Sequence, residues 1–129
     1  MLLNEDLTNT IIRCFYKVYN ELGYGFLEKV YENAFSIELQ NAGLICQQQC
    51  PIKVYYQNRQ VGNYFADLLV EDKIIIELKA GEGGIIIEHE LQLLNYLKAT
   101  TYEVGLLFFF GEKPSFKRKI FTNDIKKIR

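Results

Sequence analysis

The sequence predicts an α/β fold, with two N-terminal helices and a mixed central sheet that contains an antiparallel meander and is flanked by helices. Two observations predict this class: helical periodicity runs through the first third of the chain, and a two-residue period of apolar side chains replaces it beyond residue 43. No repeat, low-complexity tract or Pro/Ser/Gly linker divides the 129 residues. Since this length is typical of one domain, we expect a single domain over 1–129.

The first predicted helix is capped by Asn4 or Asp6, and its apolar residues recur at intervals of three and four residues until Gly23 ends it. The second helix begins near Gly25 and keeps the same spacing as far as Gly43. Both helices are therefore amphipathic, and each is expected to pack one face against the sheet.

The rest of the chain predicts four strands in an antiparallel meander, then one helix and two further strands. Breaks in the meander are expected at Pro51, Asn58/Arg59 and Gly62. The strand that follows the helix is almost wholly apolar, so we expect it to be central and buried on both faces. The predicted ranges are 44–49, 52–57, 61–70 and 73–80 for the meander, 86–99 for the helix, and 104–110 and 116–121 for the last two strands.

Composition and charge limit the functional classes. The net charge is −1, so the chain lacks the overall basicity of a protein that coats nucleic acid, although its segment 113–129 is basic. That segment fits either a local nucleic-acid contact or a solvated tail. No apolar run could cross a membrane and no secretory leader is evident, so we expect a cytoplasmic protein. Three cysteines and one histidine predict neither a disulfide framework nor a zinc site.

Two charged residues interrupt an apolar strand in the middle of the chain. In the predicted strand 73–80, the alternation places Glu77 and Lys79 on one face, opposite to that of Ile76 and Leu78. Burying either charge without a partner costs several kcal/mol, so these two residues must pair, bind a ligand or line a cleft. A structural ion pair between them is the alternative to a functional site.

A single acid, Asp67, interrupts the preceding strand. If residues 71–73 form the hairpin loop, Val70 faces Ile74 and Asp67 lies directly opposite Glu77, with Cβ atoms about 5 Å apart. Two carboxylates at that distance repel each other unless a cation lies between them, and a hard ion such as Mg²⁺ prefers oxygen ligands. A two-residue loop would place the two carboxylates on opposite faces instead.

The order Asp67, nine intervening residues, then Glu77-Leu78-Lys79 resembles the D…ExK core of the PD-(D/E)XK nuclease superfamily. This resemblance implies a restriction-endonuclease-like core. Asp67, Glu77 and the backbone carbonyl of Leu78 would then be metal ligands, and Lys79 would orient or help deprotonate the attacking water.

Two further motifs extend the resemblance along the chain. Gly25, Glu28 and Tyr31 match the GxxExxY signature of a family of small bacterial proteins in that superfamily, and Gln92 and Tyr96 are similar to the QxxxY motif of RecB-type nuclease domains. The resemblance implies that Glu28 completes or supports the metal site and that Gln92 steadies the water or the substrate. Residues expected to support the ligands or to contact substrate are Tyr31, His89 and Tyr96, and each tyrosine is expected to hydrogen-bond a carboxylate.

The resemblance implies a nuclease that hydrolyses phosphodiester bonds, with DNA as the expected substrate and Mg²⁺, or Mn²⁺ in its place, as the cofactor. A chain of this size leaves little beyond the core for recognition, so we expect a homodimer or a subunit of a larger complex. Two alternatives remain open: a non-catalytic nucleic-acid-binding or accessory module of the same fold, and a structural protein in which Asp67, Glu77 and Lys79 form a closed ion-pair network.

Overall fold

The computed structural model describes residues 3–126, which form three helices and one five-stranded mixed sheet. The strand order is β1-β2-β3-β4-β5; β3 and β4 are parallel and every other neighbouring pair is antiparallel. The predicted α/β class with a mixed sheet is thus confirmed. The elements are α1 Glu5–Leu22, α2 Glu28–Asn41, β1 Cys46–Tyr56, β2 Arg59–Val70, β3 Ile74–Ala80, α3 Ile87–Ala99, β4 Val104–Phe110, β5 Pro114–Ile120 and a 3₁₀ turn, Asn123–Ile125.

Both predicted N-terminal helices are present. Asn4 precedes α1, although its side chain makes no capping hydrogen bond, and the Gly23 N–H ends the helix by donating to Tyr19 O at 2.8 Å. Helix α2 begins at Glu28, three residues after the predicted start, because Gly25 has a φ of +116° that no helix accommodates. The loop between the helices therefore places Glu28 in the first turn of α2.

The prediction of two separate strands at 44–49 and 52–57 is wrong. One strand, β1, runs through Pro51, which lies opposite Phe65 of β2. Because β1 is at the edge of the sheet, one side of its backbone has no partner, and an edge strand tolerates a proline that cannot donate. Gly62 likewise does not start a strand but lies within β2, opposite Val54.

The sheet packs a helical layer on each face. Helices α1 and α2 cover one face, and α3, which connects the parallel strands β3 and β4, covers the other. Strand β4 is buried along its whole length, as predicted for a central strand. Within residues 3–126, no helix is long and apolar enough to span a membrane. The residues at the centre of the two cores are Phe15, Phe35, Ile76 and Phe108 on the α1/α2 side, and Ile75, Leu93, Leu97 and Leu107 on the α3 side.

The inward-facing side chains change face partway along β1 and β2. Leu68 packs in the α1/α2 core, whereas Ala66, two residues earlier on the same strand, packs in the α3 core. Residues two apart on a regular strand share a face, so the two faces of the β1–β2 ribbon, the pair of strands β1 and β2, exchange at Asp67. The corresponding position of β1 is Gln49, whose φ of +54° is the left-handed backbone that produces the inversion.

Candidate active site

The β2–β3 hairpin brings Asp67 and Glu77 together. Its three-residue loop 71–73 sets Val70 opposite Ile74, which is the register that facing carboxylates require. Continuing this register by three residues places Asp67 opposite Glu77. Regular backbone pairing ends at Leu68 and Ile76, one residue before that position, because the ribbon inverts at Asp67.

Side chains replace the backbone ladder at this point. The Asp67 N–H donates to Oε1 of Glu77 at 3.0 Å, and the Leu78 N–H donates to Oδ2 of Asp67 at 2.7 Å. Within residues 3–126, Oε2 of Glu77 accepts no hydrogen bond, and Oδ1 of Asp67 accepts only a long one, from Nε2 of Gln49 at 3.5 Å. Each carboxylate is thus anchored through one oxygen and keeps the other for a further partner.

The two carboxylates cannot both ionise without cost. Glu77 is only 4% exposed, and its burial, together with repulsion from Asp67, raises its pKa to about 8. Burial also raises the pKa of Asp67; the Leu78 N–H partly offsets this rise, and the nearby charges of Glu32 and Glu28 add to it. A cation bound between Asp67 and Glu77 would remove this repulsion.

Lys79 lies on the same strand face as Glu77 and is partly buried. Its positive charge lowers the pKa of Asp67 and of Glu77, so its ammonium group is near both. The ion pairs among residues 3–126 are Lys17–Glu38, Lys29–Glu32 and Lys119–Glu90, and none involves Lys79. The described part of the chain therefore does not form the closed ion-pair network of the structural alternative.

Glu28 is exposed in the first turn of α2. Its charge raises the pKa of Asp67, Glu77 and His89, which places it on the periphery of the same site. The structure thus brings Glu28 toward the carboxylate pair from α2, while Asp67, Glu77 and Lys79 come from the sheet.

Tyr31 is fully buried and stacks on Phe110, with ring centroids 4.1 Å apart. Its hydroxyl donates to Gly23 O at 2.6 Å and accepts from the Phe26 N–H at 3.2 Å. The hydrogen bond to a carboxylate expected from the sequence is not formed, because the side chain points back into the α1–α2 loop. Tyr31 thereby fixes the loop that immediately precedes Glu28.

Tyr31→Phe is expected to lower the free energy of unfolding by about 1–3 kcal/mol, because it leaves the Gly23 carbonyl and the Phe26 N–H without their partner. Urea unfolding measures the change. Tyr55→Phe is the matched control, since Tyr55 is 44% exposed and loses only a solvated hydroxyl. Equal losses in the two variants would contradict the role given to the Tyr31 hydroxyl.

Helix α3 faces the carboxylates from the other side of the site. Tyr96 is buried; burial and the nearby charge of Glu77 raise its pKa to about 12, so it stays protonated. Its hydroxyl accepts from Nε2 of Gln92 at 2.9 Å instead of bonding a carboxylate as expected. Nδ1 of His89 accepts from the Ile86 N–H at 3.4 Å, and burial followed by the charge of Lys79 lowers the pKa of His89.

A cleft of about 600 Å³ lies between α3 and the β1–β2 ribbon. Gln92, His89 and Tyr96 line it from the helix, and Tyr64 lines it from β2, with the Tyr64 and Tyr96 ring centroids 5.8 Å apart. Tyr96 connects this cleft to the carboxylate pair, because the Glu77 charge contributes to its raised pKa. The three residues predicted on α3 thus border one cavity.

Glu32, a buried acid whose charge acts on Asp67, is absent from the site residues predicted from the sequence. Glu32 is 4% exposed and raises the pKa of Asp67. The signal was present in the spacing of Glu32, Phe35 and Leu39, which recur at three and four residues and share the buried face of α2. An acid on that face requires a compensating set of donors.

Adjacent strands of the mixed sheet contribute one acid each, Asp67 and Glu77, and Lys79 follows Glu77 by two residues on the same face. This arrangement defines a nuclease-type core. The sequence profile of the PD-(D/E)XK nuclease superfamily matches residues 5–120, and the chain belongs to this superfamily. Its fold also resembles the crystal structure of SSO0001, with a TM-score of 0.56 and 18% sequence identity, over 74% of this chain and 50% of that one. The chain therefore spans about half the length of that protein. No curated protein matches significantly.

Nucleases of this superfamily typically use divalent metals, and the donors here fit such an ion. Asp67 and Glu77 each keep one oxygen without a strong hydrogen bond, and their repulsion favours a bound cation. No set of three His, Cys, Asp or Glu side chains positioned to hold a metal occurs among residues 3–126. An ion that binds through one or two carboxylates and keeps several waters does not need such a set.

Proposed function

We propose that this domain is a metal-dependent nuclease that hydrolyses phosphodiester bonds of DNA with Mg²⁺, or with Mn²⁺ in its place. The observation that carries the proposal is the exchange of hydrogen bonds between Asp67 and the β3 residues Glu77 and Leu78, which holds the half-buried Asp67 carboxylate against the buried Glu77 carboxylate, beside Lys79. The superfamily supports this class of reaction, and the choice of DNA rests on analogy within the superfamily.

In this proposal Asp67, Glu77 and the Leu78 carbonyl hold the ion, and Glu28 holds its water shell from α2. When bound there, the ion would polarise the phosphate and lower the pKa of a water molecule. Lys79 offsets the charge of the phosphate and orients the attacking water, since its ammonium group is near both carboxylates but ion-paired with neither.

The residues of α3 position the substrate. The Tyr96 hydroxyl stays protonated and accepts a hydrogen bond from Gln92, so its own proton is available to a phosphate oxygen. His89 is held neutral by burial and by Lys79, which makes it a hydrogen-bonding group and not a fixed charge. The cleft bordered by these residues is where we place the phosphate and its neighbouring nucleotide.

A non-catalytic module acting in a larger complex is the second candidate function. The β1–β2 ribbon favours it, because its apolar side chains Tyr55, Tyr56, Val61 and Phe65 are 44–66% exposed and could contact a partner. A homodimer or a larger complex, membership of the GxxExxY family and a cytoplasmic location remain predictions under both candidates.

Cleavage of linear, nicked and single-stranded DNA in Mg²⁺ or Mn²⁺ tests the proposal. Glu77→Gln is expected to reduce cleavage more than about a hundredfold, because even the loss of a group that supports a metal ligand costs about 10- to 100-fold. Glu38→Gln is the matched control, since Glu38 lies on α2 and pairs with Lys17 instead of the site. Cleavage that is equal in all three proteins would contradict the proposed site, and inactivity of a wild type that still binds DNA would favour the non-catalytic module.

A further inference from the structure

Glu32 combines deep burial with three hydrogen bonds. Its Oε2 accepts from Nζ of Lys29 at 2.9 Å and from Nε2 of Gln48 at 2.7 Å, and its Oε1 accepts from Nε2 of Gln49 at 2.8 Å. Donors therefore occupy both carboxylate oxygens, which leaves Glu32 poorly suited to bind a metal directly. Its effect on the site must pass through the groups that it holds.

Gln49 connects Glu32 to Asp67. The same Nε2 that donates to Glu32 lies 3.5 Å from Oδ1 of Asp67, at the long limit of a hydrogen bond. Gln49 also occupies the left-handed backbone position opposite Asp67, where the ribbon inverts and the ladder is interrupted. The short bond to Glu32 fixes the amide, and the amide then faces the carboxylate oxygen that the backbone does not hold.

Asp67 is consequently held from two sides. The Leu78 N–H fixes Oδ2 from β3, and the Gln49 amide faces Oδ1 from β1. A carboxylate that is anchored through one oxygen and faces a fixed amide with the other has a defined plane, and groups that orient metal ligands in this way raise metal affinity.

We propose that Glu32 is a positioning residue that acts through Gln49 to orient the Asp67 carboxylate for the divalent cation. This inference rests on the proposed metal site. It adds a fourth acid to Asp67, Glu77 and Glu28, and gives it a role different from theirs.

Gln48 and Gln49 provide a matched pair of substitutions. Both amides donate to Glu32, but Gln48 has Asn33 as its other partner, whereas Gln49 has Asp67. Gln48→Gly and Gln49→Gly therefore delete the same side chain and the same type of bond to Glu32. Glycine also accepts the positive φ of position 49, so the inverted backbone is retained.

The test measures the Mn²⁺ dissociation constant by electron paramagnetic resonance of free Mn²⁺, without any DNA. Gln49→Gly is expected to weaken Mn²⁺ binding by about 10- to 100-fold, and Gln48→Gly by less than about threefold. Glu32→Ala combined with Gln49→Gly is expected to bind Mn²⁺ as weakly as Gln49→Gly alone, because both substitutions break the same connection. Circular dichroism checks that each variant is folded.

Two results would overturn the inference, and they differ from failure of the metal site itself. Unchanged Mn²⁺ affinity in Gln49→Gly, or equal losses in Gln48→Gly and Gln49→Gly, would reduce Glu32 to a structural role while the metal site stands. Absence of Mn²⁺ binding by the wild type would remove the metal site and the positioning role together. If the variant that combines Glu32→Ala with Gln49→Gly fails to fold, the two glutamine variants still test the connection through Gln49.

Discussion

Lys79→Met is expected to slow DNA cleavage by about 10²–10⁴-fold while Mn²⁺ binds at least as tightly as to the wild type. The positive charge of Lys79 lowers the pKa of Asp67 and Glu77, and the same charge repels a metal cation. Methionine keeps an unbranched side chain that is one atom shorter and removes the charge. The transition state then loses its cationic partner, while Asp67 and Glu77 remain in place. The variant thus separates binding of the ion from catalysis.

Single-turnover cleavage and Mn²⁺ titration of the same preparations measure the two effects of Lys79→Met. Lys73→Met is the control, because Lys73 is exposed in the loop between β2 and β3 and precedes the same strand. Cleavage at the wild-type rate would contradict the role given to Lys79. Loss of Mn²⁺ binding would instead mean that Lys79 holds the site together.

The metal-free protein is expected to lose stability as pH rises from about 5 to about 8. Glu77 has an ordinary pKa of 4.5 and a pKa of about 8 in the folded protein, so the folded state binds the proton more tightly than the unfolded state. A carboxyl with a raised pKa therefore destabilises the fold progressively between these two values. The loss is on the order of 3–5 kcal/mol, since one pKa unit corresponds to about 1.4 kcal/mol. Asp67, whose pKa is also raised, acts in the same direction.

Urea unfolding in EDTA at pH 5, 6.5 and 8 measures this dependence, with Glu77→Gln for comparison. Glutamine keeps an oxygen that accepts from the Asp67 N–H but has no proton to lose, so its profile is expected to be flatter. The lowered pKa of His89 has the opposite effect on stability: below about pH 6.5 it destabilises the fold as pH falls. Both proteins contain His89, so the comparison between them cancels this effect. Parallel profiles would contradict the assignment of the loss to Glu77.

Mg²⁺ is expected to restore stability more at pH 8 than at pH 5 if the ion binds where Glu77 loses its proton. Metal binding requires the ionised carboxylate, so protons and the ion compete for the same oxygens. Linkage then predicts that the stabilisation by Mg²⁺ grows with pH across the interval in which Glu77 titrates.

The sequence predicted the facing carboxylates because a hairpin loop of known length determines its own register. Once residues 71–73 form the loop, the two-residue period decides that Asp67 and Glu77 meet. The buried character of β4 and the helical periodicity of α1 were equally local signals. Each of these predictions needed only neighbours in the sequence.

The contact between Glu32 and Gln49 could not be predicted because it joins a helix to a strand 17 residues away in the chain. No periodicity encodes that contact. The inversion of the ribbon depends on the left-handed backbone of Gln49. A glycine would have indicated this conformation in the sequence, but the position holds a glutamine. The continuity of β1 through Pro51 likewise depends on the position of β1 at the sheet edge, which is a property of the whole sheet.

The partners of Tyr31 and Tyr96 also required the structure. The sequence places each tyrosine on the correct helix, but a hydroxyl bonds whichever group the packing brings to it. Packing brings the Tyr31 hydroxyl to Gly23 and the Tyr96 hydroxyl to Gln92. Both tyrosines support the site by fixing neighbouring elements, and neither hydrogen-bonds a carboxylate.

Anomalous diffraction from crystals soaked in Mn²⁺ would locate the bound ion. A manganese peak is expected between the Asp67 and Glu77 carboxylates, within bonding distance of the Leu78 carbonyl, and no such peak is expected in crystals of Glu77→Gln. A peak elsewhere in the wild type, or none at an Mn²⁺ concentration that supports cleavage, would contradict a metal-binding role for this carboxylate pair.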